Sequence, residues 1–113
     1  MSGMTFDEYQ EKARRTQNKA LTPYERQNHA LFGLCSEVGE IHSIYQKAYQ
    51  GHPVDREKVK KEIGDVLWMI AELCDSLYMR MGDVAQANID KLRARYPEGF
   101  EVEKSLNRRE GDV

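Results

Sequence analysis

The sequence predicts an all-α protein, and three observations support this. Apolar residues recur at helical spacing along two long segments. Strand signals are lacking, since no β-branched run alternates with polar residues and no Asn-Gly or Asp-Gly turn occurs. Helix-start signals precede four segments. We therefore expect a four-helix bundle-like subunit whose two long central helices lie antiparallel, in an oligomer.

The first two helices have distinct start signals. Thr5 and Glu8 have the spacing of a capping box, in which each side chain satisfies a free backbone amide of the other, so a helix is expected over 6–18. Thr22 stands before Pro23, which suits the first position of a helix because proline has no N–H to satisfy there. The second helix is therefore expected to begin at residue 23.

Glycine, aspartate and proline set the remaining boundaries. Gly51 is expected to cap the second helix, which ends at residue 50. A third helix is expected from the Asp55 cap to Gly82, and a fourth from the Asp83 cap to Tyr96, which precedes a proline.

The chain divides into one helical domain and a tail. Residues 1–100 contain all the periodic segments and are expected to form a single domain. Residues 101–113 are charged and lack periodicity, so we expect a flexible tail.

The apolar periodicity predicts the core. The expected core positions are Leu31, Leu34, Cys35, Val38, Ile41 and Tyr45 in the second helix, and Val59, Ile63, Val66, Leu67, Ile70, Leu73, Cys74 and Leu77 in the third. Trp68 lies nearly opposite the second stripe, and an exposed tryptophan suits an oligomer interface or a platform for a nucleobase. Because a core of this size stabilises a 113-residue chain only marginally, we expect a homo-oligomer.

Charge and cysteine content exclude several classes of protein. The net charge is −2, from 17 basic and 19 acidic residues, so a nucleic-acid-coating role is not expected. Uninterrupted apolar runs are too short for a membrane span or a secretory leader. Two cysteines cannot form a disulfide framework, and we expect a cytoplasmic location.

A short internal echo carries the chemistry. Glu37 and Glu40 flank a Val-Gly pair, and Glu62 and Asp65 flank an Ile-Gly pair, so each pair of acids shares one helix face. Glu40 and Glu62 are each eleven residues from Gly51, while Glu37 and Asp65 are each fourteen residues from it. An antiparallel hairpin pivoting at Gly51 would gather the four carboxylates into one cluster.

The two echoes each contain a glycine, Gly39 and Gly64. A glycine inside a helix costs about 1 kcal/mol relative to alanine. Two such glycines beside the acids suggest that backbones approach closely there or that a bulky group must fit.

Clustered acids favour a bound cation. Like charges about 4 Å apart cost about 4 kcal/mol per pair at an effective dielectric constant near 20. Oxygen ligands with few histidines or cysteines suit Mg²⁺ or Mn²⁺, and Mg²⁺ commonly bridges to phosphate oxygens. The alternative is that acids at this spacing are ordinary solvated positions.

The fourth helix supplies complementary cations. Asn88, Lys91 and Arg95 share one helix face, and an arginine can hold two phosphate oxygens at once. Lys47 is a weaker candidate of the same kind. A solvated basic face is the alternative for all of them.

Other titratable residues give weaker signals. The three histidines show no metal-ligand spacing. Glu72 is expected to be a surface acid, and the alternative is a supporting role at the site.

The two acidic echoes and the segment that begins at Asn88 resemble the MazG-like branch of the all-α nucleoside triphosphate pyrophosphohydrolases. That family's motif is Glu-x-x-Glu followed later by Glu-x-x-Asp, and the segments 34–41, 62–68 and 88–100 also resemble it. The likeness extends over about residues 6–100. Ser36 departs from the pattern, since many relatives carry a further acid there.

The resemblance implies a Mg²⁺-dependent hydrolysis of a nucleoside triphosphate to the monophosphate and pyrophosphate, for instance to clean the nucleotide pool. It also implies a homo-oligomer, either a dimer or a tetramer. By the same resemblance the metal ligands would be Glu37, Glu40, Glu62 and Asp65, and the substrate contacts would include Asn88, Lys91 and Arg95. Either Glu37 or Glu40 would activate the attacking water.

The carboxylate-rich helices also fit two other functions. A di-iron carboxylate bundle would use Glu-x-x-His on two helices, and that pattern is absent from the chain. A non-catalytic helical module that binds nucleotides or a protein partner stays open, and a module with purely surface acids should show no Mg²⁺-dependent rise in melting temperature.

Overall fold

The computed structural model describes residues 3–109 and 111–113 and contains five α-helices in that part of the chain. They are α1 (Phe6–Arg14), α2 (Pro23–Ala48), α3 (Arg56–Ser76), α4 (Met81–Arg95) and α5 (Val102–Leu106). The predicted all-α class with two long central helices is confirmed. No strand occurs in the described residues.

The α2–α3 hairpin forms the centre of the fold, and its start signals work as the sequence predicts. The Thr22 hydroxyl accepts a hydrogen bond from the Glu25 amide at 3.1 Å, and the Glu25 carboxylate accepts one from the Thr22 amide at 2.9 Å. Gly51 has φ +96° in the turn after α2, a left-handed conformation that glycine adopts without strain. Asp55 accepts from the amides of Glu57 and Lys58 and so caps α3.

Helix α1 is shorter than predicted and ends at Arg14. The hydroxyl of Thr16 donates to the carbonyl of Ala13 at 2.7 Å, and the side chain of Asn18 accepts from the Ala20 amide at 3.0 Å. Such local side-chain bonds compete with the helical ladder, which explains the early end.

The predicted boundary at Gly82 is wrong. Helix α3 ends at Ser76, and Tyr78 follows in a left-handed conformation with φ 57°. Gly82 lies inside the first turn of α4, whose N-cap is Arg80 rather than Asp83 and makes no capping bond through its own side chain.

Helix α1 provides the capping groups that α4 lacks locally. The Gln10 side-chain oxygen accepts from the Met81 amide at 2.7 Å, and the Asp7 carboxylate accepts from the Gly82 amide at 2.9 Å. Free amides at a helix start need acceptors, and here they come from residues more than 70 positions earlier in the chain. The start of α4 is therefore fixed by tertiary contacts.

The main core lies where α1 packs on α3 and the start of α4. It contains Ala13, Ala71, Cys74 and Met81, with Tyr9, Leu67, Trp68 and Ile70 packed against it. The expected exposure of Trp68 is wrong, because α1 covers that side of α3. The half-buried indole donates from Nε1 to the Thr16 hydroxyl at 2.8 Å.

A second packed region joins α2 to α3. Ala30, Ile44 and Met69 are buried there. Gly33 makes this pairing close, since a Cβ at that position would overlap the Met69 sulfur. Gly39 and Gly64 differ from Gly33, because a Cβ at either would meet no described atom within 4 Å.

One side of the hairpin is apolar and uncovered. Several predicted core positions are wrong for the single chain and are exposed instead, namely Leu31, Cys35, Val38, Tyr45, Ile63 and Leu77. The α2–α3 pairing buries one stripe and α1 covers another, so this third stripe has no cover among the described residues. We call these six residues the open apolar face.

The tail contains a short helix, α5, and returns to α4 through an Arg95–Asp112 ion pair. The division into a domain and a tail stays a prediction. Among the described helices, none is long and apolar enough to cross a membrane.

Candidate metal centre

Three of the four echo acids converge between α2 and α3. Glu37, Glu62 and Asp65 each offer a carboxylate oxygen within 4.8 Å of the others. Glu37 and Glu62 are half-buried, and Asp65 is exposed. The three oxygens therefore form one open-sided group at the surface of the hairpin.

The hairpin positions this group through its register. Buried Ile44 lies seven residues after Glu37, so both side chains are on the stripe of α2 that faces α3. Buried Met69 likewise lies seven residues after Glu62 on α3. Glu37 thus meets Glu62 and Asp65 across the helix interface.

Electrostatic crowding is visible at Glu37. Burial raises the pKa of the Glu37 carboxyl, and the charges of Asp65 and Glu62, a hydrogen bond with Glu62 and the charge of Glu40 raise it further. A cation bound beside this carboxyl would offset the repulsion from the neighbouring acids and favour its ionised form.

The donor set fits a hard divalent cation. All three ligands are carboxylate oxygens, and Mg²⁺, Mn²⁺ and Ca²⁺ favour such ligands over the softer metals that take histidine or cysteine. Three protein ligands on an open site would leave further coordination positions for water or phosphate. The group could therefore hold a divalent ion.

Glu40 and Lys47 lie outside the three-acid group. They line a separate cleft of about 360 Å³ near the hairpin turn, together with His52, Asp55 and Lys58. The register expected from the sequence set Glu40 level with Glu62, but the helices instead bring Glu37 close to both acids of α3. The charge of Glu40 still reaches Glu37 and adds to its raised pKa.

Helix α1 adds a neighbour that the sequence analysis missed. Burial raises the pKa of the Tyr9 phenol, and the nearby charge of Asp65 raises it further. The i, i+4 spacing of Tyr9 and Ala13 marks an apolar face of α1, but the sequence does not reveal that this face packs beside the acids.

Glu72 also departs from its prediction as a surface acid. Its side chain is 1% exposed and bonds to Nδ1 of His29 on α2. The pair joins α2 to α3 two helical turns beyond Asp65. It stabilises the hairpin that carries the three acids, since a buried carboxylate needs a partner.

The structure does not bring the α4 cations to the acids within one chain. Helix α4 packs chiefly on α1, whereas the acids lie between α2 and α3. Asn88 and Lys91 are exposed. Arg95 is half-buried, and its guanidinium is engaged by Asp112.

Comparison with known sequences gives the family. The sequence model described as "MazG nucleotide pyrophosphohydrolase domain" matches residues 26–100, about two thirds of the chain, and that span includes α2, α3, α4 and the three acids. The chain belongs to this family. The resemblance carried by the two acidic echoes is thereby confirmed.

The chain is also similar to a phage protein. The "Gene 37 protein" of Mycobacterium phage L5 is 30% identical over 77 residues, covering 64% of this MazG-family chain and 68% of the phage protein. Its name gives no activity. No solved structure matches the chain significantly.

Proposed function

We propose that this MazG-family protein is a Mg²⁺-dependent nucleoside triphosphate pyrophosphohydrolase that releases the monophosphate and pyrophosphate. The observation that carries the proposal is the convergence of Glu37, Glu62 and Asp65 on facing helices, inside the span that matches the family. Such a group suits a cation that also binds phosphate oxygens.

Each acid has a proposed task. Glu37, Glu62 and Asp65 hold the ion, and Glu40 joins them as a fourth ligand or acts beside them. When bound, Mg²⁺ supplies charge neutralisation on the phosphates and lowers the pKa of a coordinated water. Either Glu37 or Glu40 orients the attacking water and accepts its proton, and the lesser engagement of Glu40 with the other acids favours Glu40.

The cations have a complementary task. Lys91 and Arg95 hold phosphate oxygens and stabilise the charge that develops on the leaving pyrophosphate, while Asn88 contacts phosphate or sugar. Lys47, in the cleft beside Glu40, is a further phosphate contact. Trp68 is no longer part of the proposed site, because its indole packs under α1 and bonds to Thr16.

Assembly is part of the proposal. Because α4 packs chiefly on α1, a second copy is needed if α4 cations are to reach the acids. The open apolar face lies on the same hairpin as the acids and would be covered in a dimer or tetramer. We therefore propose a homo-oligomer with substrate bound between subunits.

The test combines metal binding with turnover. The wild-type chain should show a Mg²⁺-dependent rise in melting temperature and should release pyrophosphate, not orthophosphate, from at least one member of a panel of canonical and damaged nucleoside triphosphates. Glu62→Gln should lower turnover about a hundredfold or more and abolish the metal-dependent rise. Without metal, its melting temperature should equal or exceed that of the wild type, because repulsion within the group falls.

Glu57→Gln is the matched control, since Glu57 is an exposed glutamate five residues earlier on α3. It should leave metal binding and turnover unchanged. Turnover retained by Glu62→Gln at saturating Mg²⁺ would contradict the site. Nucleotide binding without hydrolysis in the wild type would instead favour the non-catalytic alternative.

A further inference from the structure

The end of the chain folds back onto the last turn of α4. Arg95 donates from Nε to Asp112 Oδ2 at 2.8 Å and from Nη2 to Asp112 Oδ1 at 2.7 Å. The two side chains are only 10% and 13% exposed. Arg109 adds a second attachment by donating to the carbonyl of Ala94. The segment is thus anchored at two points.

The Asp112 carboxylate sits in strongly basic surroundings. It lies in a cleft of about 260 Å³ whose charged lining residues are Arg95, Lys104, Arg108, Arg109 and Asp112 itself. The hydrogen bonds from Arg95 lower the pKa of the Asp112 carboxyl, burial opposes them, and the charges of Arg95, Arg108 and Lys91 lower it further. Four basic side chains therefore surround one acidic group.

This pairing uses the geometry by which arginine holds a phosphate. A guanidinium donates two parallel N–H bonds to two oxygens of a carboxylate or of a phosphate, with similar spacing. The same Nε and Nη2 atoms cannot serve both partners at once. Arg95 and Lys91, which we assign to substrate phosphate, are two of the three basic residues whose charges act on Asp112; the third is Arg108.

We propose that the segment formed by residues 107–109 and 111–113 competes with substrate for Arg95. Asp112 occupies the Nε and Nη2 donors of Arg95, which we call the phosphate grip, until a polyphosphate displaces it. The inference rests on the proposed function, because it takes Arg95 as a phosphate ligand. It adds a regulation of the site by the chain's own carboxylate. Arg95 and Lys104, which line the cleft from outside this segment, keep it basic once the segment has left, so it stays suited to an anion.

The size of the effect follows from competition. The observed dissociation constant equals the intrinsic one divided by the fraction of molecules whose grip is free. If the segment is bound in most molecules, its release tightens polyphosphate binding by about three- to tenfold. The turnover number should not change, since Asp112 has left the grip before the chemical step.

Calorimetry measures the binding of inorganic tripolyphosphate to the full chain. Divalent metal is left out, so that metal bound at Glu37, Glu62 and Asp65 does not contribute to the measured affinity. Asp112→Asn should bind about three- to tenfold more tightly than the wild type. Glu103→Gln is the matched control, because it removes the same charge from the exposed surface of α5 without touching Arg95. It should bind like the wild type.

A double-variant comparison separates the grip from general charge effects. Arg95→Gln should weaken tripolyphosphate binding, and adding Asp112→Asn to it should give no gain. Equal binding by Asp112→Asn and wild type, an equal gain in Glu103→Gln, or no binding by Asp112→Asn would each overturn the inference.

Turnover assays distinguish the inference from the proposed function. If the enzyme hydrolyses a nucleotide, Asp112→Asn should lower KM by the same factor and leave kcat unchanged. If no variant hydrolyses any nucleotide, the proposed function fails, while the tripolyphosphate measurements still decide whether Asp112 blocks the grip.

Discussion

Asp75 is the side chain that ties α1 to α3. Its carboxylate accepts hydrogen bonds from Gln10 at 2.8 Å, Gln17 at 2.8 Å and Arg14 at 2.9 Å. Burial raises the pKa of this carboxyl, but the bonds from Arg14, Gln17 and Gln10 outweigh it and hold the pKa below its ordinary value of 3.8. The ionised form is thus the one that the fold stabilises.

This pKa shift predicts a pH dependence of stability. Below about pH 3.8 an unfolded chain protonates Asp75 while the folded chain does not, so the unfolded state binds more protons and gains stability as the pH falls. The contribution is complete above pH 3.8 and is lost as the pH falls through the lower folded pKa. Asp75→Asn should cost about 1.5–3 kcal/mol near pH 7 and should lose less stability on acidification than the wild type.

Urea unfolding at pH 6 and pH 3, at constant ionic strength, measures this difference. Asp90→Asn is a suitable control, because Asp90 is exposed and is bonded only to Gln86 within α4 among the described contacts. Its acid dependence should match that of the wild type. Parallel stability curves for wild type and Asp75→Asn would contradict the assignment.

At the scale of helices, the sequence predicts the boundaries correctly where the capping groups are adjacent in the chain. The Thr5 capping box, the helix start after Thr22 and the Asp55 cap are present as predicted. The α3–α4 boundary was misplaced because the acceptors for α4 are Gln10 and Asp7, which no local pattern connects to residue 81. Sequence periodicity marks apolar faces, but it does not say which neighbour covers them.

Residue spacing along the hairpin predicts that the acids cluster, but it does not predict every member of the cluster. Equal spacing from Gly51 set Glu37 level with Asp65 and Glu40 level with Glu62, and the structure groups Glu37 with Asp65 and Glu62 but not with Glu40. The spacing could not give the exact register and orientation of the packed helices, and in the structure Glu40 lines a separate cleft. Nor could it predict Tyr9, because the contact depends on how α1 docks.

Helix packing also gives a prediction about glycines. Gly33→Ala should destabilise the protein by about 1–3 kcal/mol, because the added methyl overlaps buried Met69 and forces it to move. Gly39→Ala should stabilise the isolated chain by up to about 1 kcal/mol, since open space surrounds it and alanine favours helix. Chemical denaturation of both variants measures the contrast.

The Gly39→Ala variant also tests why Gly39 lies beside the acids, and Gly33→Ala tests the close contact between α2 and α3. If Gly39→Ala stabilises the chain but lowers turnover or association, the glycine makes room for a substrate or a second subunit. If Gly33→Ala proves as stable as the wild type, the close α2–α3 contact is not as tight as described.

The whole molecule exposes more surface than a compact monomer of its size. Its accessible area is 8776 Å², whereas a folded monomer of this mass has about 6,400 Å². Its radius of gyration is 17.3 Å, against about 13 Å for a compact domain of this length. A single chain therefore leaves burial incomplete, which supports association through the open apolar face.

Association should be measurable and interruptible. We expect sedimentation to give a dimer or tetramer at micromolar concentration, and the melting temperature to rise with protein concentration. Ile63→Lys, which puts a charge on the open apolar face, should shift the protein towards monomer. Val102→Lys, at a similarly exposed apolar position on α5, should not. A stable monomer of the wild type would contradict the expectation.

The span that matches the family, residues 26–100, excludes α1, although the start of α4 depends on α1. A fragment excised as residues 26–100 would keep the acids and the α4 cations but would lose the acceptors for the first amides of α4 and the three side chains that bind Asp75. It would also uncover Trp68 and Ala71. The span that matches the family is therefore smaller than the set of helices that pack together in the fold, and a protein trimmed to that span would expose apolar side chains and be prone to aggregation.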